Sequence, residues 1–112
     1  MTLEDLKVKC TNYGLKYAYG VYKEEVEPPY LVANVMDTSN FMADNKVYLK
    51  DIPIRLEYIF KEKNLTIENL IEDTILGDIT WNKTEEAYLE DEGVFEVSYF
   101  FELDTKQELV SL

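Results

Sequence analysis

Phe95-Glu96-Val97-Ser98-Tyr99-Phe100-Phe101-Glu102-Leu103 is the stretch that decides the fold. Its odd-numbered positions are all apolar, while Glu96, Ser98, Phe100 and Glu102 alternate with them. That is the two-residue period of a strand with one face in a core and one mixed face. A second stretch repeats it: Ile52, Ile54, Leu56, Tyr58 and Phe60 alternate with Pro53, Arg55, Glu57 and Ile59. Pro53 cannot donate to a ladder, which suggests an edge strand or a strand entrance.

Between these strands the period changes. From about Leu65 to Leu76, Ile67, Leu70, Ile71 and Ile75 fall on one helical face, with Glu68, Glu72 and Asp73 assigned to or beside the other. Gly77 ends the helix, Asp78 to Thr84 reads as a short strand, and Gly93 turns the acidic segment Glu85 to Glu92 into the last strand. Toward the N-terminus, Thr2 and Asp5 have capping-box spacing ahead of Leu3, Leu6, Cys10 and Tyr13, and Gly14 supplies the stop. Tyr17 to Lys23 and Tyr30 to Met36 read as a hairpin joined by Glu24-Glu25-Val26-Glu27-Pro28-Pro29. Asp37 to Asp51 is a long polar loop carrying Phe41, Met42, Val47 and Tyr48. The expectation is an α+β fold in one domain, residues 1–112, with a mainly antiparallel sheet of about five strands and two helices packed on one face. Residues 105–112 read as a flexible polar tail.

Composition narrows the chemistry. The chain has 112 residues, 46% of them hydrophobic, one Cys and no His. It is apolar enough to fold, and no apolar run approaches the roughly 20 residues of a membrane span. Together with an N-terminus that lacks a basic start, this predicts no export and no membrane, and a reducing cytoplasm is the natural setting. Cys10 lies on the apolar stripe of the first helix and reads as a core residue, because a nucleophile needs a base and no His is present. The four glycines stand singly, so no phosphate-cradling loop exists. A zinc site needs more Cys or His, and the 85–92 acids lack calcium-loop spacing. No cofactor, no metal and no catalytic residue is expected.

Net charge is −12, and residues 65–112 hold thirteen acids against Lys83 and Lys106. Such a surface repels phosphates, disfavours nucleic-acid binding and suits a basic partner. Most rings fall on inward strand faces; Tyr22, Phe41, Tyr48, Tyr88 and Phe100 are the exceptions. Aromatic contact area of that kind is enriched at protein interfaces.

The order Tyr19-Gly20-Val21, Glu27-Pro28-Pro29-Tyr30, Ser39-Asn40, Ala43-Asp44-Asn45-Lys46, the Ile54 to Tyr58 strand and Tyr99-Phe100-Phe101-Glu102-Leu103 resembles small acidic tail-completion or tail-terminator proteins of tailed phages and prophages. The resemblance implies a non-enzymatic subunit that forms a ring at the head–tail joint or tail end. Its partners would be further copies of itself, the connector and tail-tube proteins. It would reside in the host bacterial cytoplasm during assembly and then in the virion. Candidate contacts are Phe41, Met42 and Tyr48 in the loop, with Glu24, Glu25 and the 85–92 acids, Glu85, Glu86 and Glu90 among them, facing a partner or lumen. The alternative is an acidic inhibitor that mimics DNA and binds a basic nucleic-acid-binding protein, an expectation that rests on the charge of residues 65–112.

Overall fold

The computed structural model describes residues 1–36 and 51–104. The expected contacts Phe41, Met42 and Tyr48, and the expected tail 105–112, lie outside them. Thr2 caps helix α1 (Leu3–Asn12) with a complete capping box: Asp5 N donates to Thr2 Oγ1 at 3.1 Å and Thr2 N to Asp5 Oδ2 at 3.0 Å. Gly14, at φ +77°, releases the chain into β1 (Tyr17–Tyr19). After β2 (Tyr30–Val35) and β3 (Asp51–Phe60), Asn64 caps α2 (Leu65–Asn69), which continues as a π-helical turn over Leu70–Ile75. The strands β4 (Trp81–Lys83), β5 (Ala87–Leu89) and β6 (Val94–Asp104) follow.

These elements make an α+β fold. The six strands form one mostly antiparallel sheet in the order β1-β2-β3-β6-β4, with β5 also paired to β6. The two period-2 stretches found in the sequence are neighbours at its centre, in register from Asp51 opposite Asp104 to Phe60 opposite Phe95. Their alternate residues Ile52, Ile54, Leu56, Tyr58 and Phe60, with Val97, Tyr99, Phe101 and Leu103, join Leu31 and Ala33 of β2 in one apolar cluster. Leu6 and Cys10 of α1 and Ile71, Ile75 and Leu76 complete it. Cys10 is therefore a core residue, and burial pushes its thiol up to about 12.

The structure corrects one of these expectations and refines two others. The first two strands are not a hairpin: β1 runs parallel to β2, with Tyr17 beside Leu31. β1 stops after Tyr19, where Gly20 takes φ +85°, and residues 20–29 carry the chain back to the end of the sheet where β1 began. Such a return is how two strands come to run parallel. Of the two positions expected for Pro53 the edge fails, since β3 is paired on both sides, and the strand entrance holds, since Pro53 is the third residue of β3. Its carbonyl accepts from Met36 N at 2.9 Å, so its ring nitrogen points to the same side, just past the last β2 pair, Val35 with Ile54. A missing donor costs little where that ladder ends. Finally, the acidic segment is more than a lead into the last strand. It contains β5, and the four steps from Lys83 to Ala87 face only three on β6, from Tyr99 to Glu96. This one-residue excess is a β-bulge, bridged by Thr84 N donating to Ser98 O at 2.9 Å and Ser98 N donating to Thr84 Oγ1 at 3.0 Å.

Candidate functional site

The face of the sheet opposite the apolar cluster is polar at its centre. Arg55 donates through Nε to Ser98 Oγ at 3.0 Å and through Nη2 to Glu96 Oε1 at 2.9 Å, and its guanidinium lies 5.9 Å from the Phe100 ring. Phe100, on the mixed face of its strand, is thus held by a cation–π contact within the chain. Beside this network opens a groove of about 950 Å³. One wall is the connection after β1, with Tyr22, Glu24, Glu25 and Glu27; the floor is Tyr30, Val32 and Asn34 of β2 with Glu57 of β3; Asp91, Glu92 and Val94 close the far side. Tyr22 packs edge-on against Tyr30, with centroids 5.3 Å apart.

The groove is strongly acidic: six carboxylates line it against Lys23 and Lys61. Lys61 is already paired to Glu27, at 3.5 Å. Burial, reinforced by Glu96 and opposed by Arg55, holds the Glu57 carboxyl above its usual range. The Tyr30 phenol is also pushed up, first by burial and then by Glu92, Glu57 and Glu96. Both shifts report carboxylates crowded on one partly desolvated floor, a field that favours an incoming cation.

A second cluster of charge is internal. Glu68, with a side chain only 3% exposed, sits between two ammonium groups: Lys63 Nζ is 2.7 Å from Oε2 and Lys83 Nζ donates to Oε1 at 2.9 Å. Lys83 also donates to Glu72 Oε2 at 2.6 Å, which accepts from the Tyr99 hydroxyl at 2.7 Å. Burial works to raise the Glu68 pKa, but the two lysines outweigh it and hold the carboxyl below its usual range. The same pairings hold Lys63 above its usual range, and Lys83 too despite burial. Burial and the bond to Glu72 push the Tyr99 phenol up. Each of these groups is driven deeper into its resting protonation state at neutral pH, which suits structural anchoring rather than proton transfer.

Of the acids singled out in the sequence, the structure brings Glu24 and Glu25 into the groove with Asp91 and Glu92. It separates the others: Glu86 pairs with Lys63, while Glu85 and Glu90 are exposed. Tyr22 lines the groove, and Tyr88 lies exposed against Phe95. Sequence reasoning missed Glu57 as a groove residue and put Glu68 on the wrong side of its helix. Glu68 precedes Ile71 by three and Ile75 by seven residues, spacing that places it on the buried face.

No known family, characterised protein or solved structure matches this chain. Among the described residues, no helix is long and apolar enough to cross a membrane, and no group of three or more Cys, Asp or Glu side chains is arranged to hold a metal ion.

Proposed function

We propose that this chain is a non-enzymatic structural protein of a tailed phage or prophage, a ring subunit that completes or terminates the tail at the head–tail joint or tail end. The observation that supports a contact role is the acidic groove: carboxylates from three separate parts of the chain, with Tyr22 and Tyr30, converge on a rigid sheet face. Rigid rings at low entropic cost beside an excess of carboxylates suit a basic protein surface. The assignment to the tail rests on the sequence resemblance given above. On this reading the partners are further copies of the chain, the connector and the tail-tube proteins, and the protein passes from the host cytoplasm into the virion.

Deleting the gene and imaging induced particles by electron microscopy tests the reading. Filled heads apart from tails, or tails of uncontrolled length, are the expected outcome. Normal infectious particles would overturn it. The convergence of Glu24, Glu25, Glu57, Asp91 and Glu92 favours one second reading, an acidic inhibitor of a basic nucleic-acid-binding protein. A salt-sensitive complex with such a protein, lost in Glu24→Lys/Glu25→Lys, would move that reading ahead; no such complex would remove it.

A further inference from the structure

β1 and β5 lie at opposite edges of the sheet, with β2, β3 and β6 between them. Residues 6–23, which hold most of α1 and all of β1, carry four lysines and no acid. Residues 84–93, which hold β5, carry five acids and no cation. Lys7 of α1 and Lys16 just before β1 are exposed, as are Glu85 and Glu90 beside β5, whereas Lys23 lines the acidic groove with Glu24, Glu25, Asp91 and Glu92. Lys9 and Asp5 face Ile75 across a cleft, and at helical spacing Lys7 lies on the opposite flank of α1. Each edge also exposes rings: Tyr13 and Tyr19 are 51% and 53% exposed beside the lysines, and Tyr88 is 55% exposed among the acids. Lys16 O and Gly20 N pair with β2, so by alternation the backbone N–H groups of Tyr17 and Tyr19 point outward. Among the described residues no strand pairs with that side.

We propose that copies of this chain associate head to tail, the lysine-bearing β1 edge of one against the acidic β5 edge of the next. Both halves of the complementary pair belong to the same chain and face opposite ways, so each copy offers what the next one needs. A two-fold contact at either edge would bring like charges together. A contact between two different patches is heterologous, and it forms a ring when its rotation closes. The inference rests on the ring-subunit reading and names its lateral interface.

The test uses two full-length charge-reversed variants, Lys7→Glu/Lys16→Glu and Glu85→Lys/Glu90→Lys. All four positions are exposed, and a thermal melt of each variant checks that it folds. Sedimentation equilibrium at low ionic strength is the readout. Each variant alone is expected to self-associate at least about tenfold more weakly than the unaltered chain, because each reversal neutralises most of the charge on one of its two edges. Mixed, the two variants are expected to form a complex, which added salt dissolves. A mixture that associates no more tightly than its components overturns the proposal, whether or not the unaltered chain is monomeric. Complementation separates this from the role itself. Either variant alone restoring joined heads and tails removes the edge contact and leaves the role; a mixed complex together with normal particles from the gene deletion keeps the contact and removes the role.

Discussion

Removing Lys83 tests whether the buried charges act as one unit. Lys83→Met keeps most of the stem but strips Glu68 and Glu72 of their shared cation. Breaking a buried ion pair by removing one partner costs ~3–5 kcal/mol. Two features lower that here: the Lys83 side chain is 30% exposed, and Glu68 keeps Lys63 at 2.7 Å. A loss of ~2 kcal/mol is expected, which lowers Tm by roughly 8 °C for a domain of this size. Glu68→Gln should cost about as much, since both lysines retain other carboxylates. If the groups form one network, the double variant should lose less than the sum, with a coupling of ~1–2 kcal/mol. Urea unfolding followed by Trp81 fluorescence suits the assay, because the only Trp of the chain packs edge-on against Tyr99, 5.6 Å away. The dependence on pH has a definite sign. The folded-state pKa of Glu68 lies below its unfolded value, so its contribution is present above about pH 4.3 and is lost as pH falls through the folded pKa. The stability gap between the unaltered chain and Glu68→Gln should therefore narrow on acidification. Additivity within ~0.5 kcal/mol, or a gap that does not change with pH, would refute the reasoning.

The two most buried tyrosines should respond in opposite ways. Tyr99→Phe loses a bond to a carboxylate and should cost ~1.5–3 kcal/mol, whereas Tyr58→Phe should be neutral or stabilising, since its buried hydroxyl has no partner among the described residues. Equal Cm shifts for the pair would contradict the hydrogen-bond assignment. Gly77→Ala should destabilise by ~1–3 kcal/mol, because an added Cβ would lie 2.3 Å from Asp73 O; an unchanged Cm in urea would show that the turn relaxes freely. Cys10 should resist a thiol reagent in the folded protein and react once urea unfolds it, since it is fully buried with its thiol held at about 12. Rapid labelling in native buffer would refute its placement.

The central pair of strands was legible because Ile52 to Phe60 and Phe95 to Leu103 bury one face each, so burial and period carry the same message. Thr2, Asp5 and Gly14 were legible as helix ends for local reasons that need no tertiary context. The direction of β1 was not. A Pro-containing connection fits a reversal as well as a return, and the choice is made by pairing with Leu31 and Ala33. β5 escaped because Glu85 to Glu92 has the composition of a solvated turn, while its pairing depends on the backbone edge of β6. The groove was half visible: Glu24, Glu25 and the acids of 85–92 were read as contacts, but Glu57 was not, and these parts of the chain meet only through the sheet order. The Glu68 cluster was hidden by residue type. A glutamate was read as solvent-facing, although its spacing to Ile71 and Ile75 placed it inward, where Lys63 and Lys83 make its charge tolerable.

The place of β6 governs when this chain can fold during synthesis. It lies between β3 on one side and β4 and β5 on the other, yet it is the last described strand to leave the ribosome. Until it emerges, the apolar face of β3 lacks its longest partner, and β4 and β5 have no strand to join. The nascent chain therefore carries an unfinished, sticky half-sheet, and a product halted before residue 94 should be captured by chaperones or degraded rather than persist as a stable fragment.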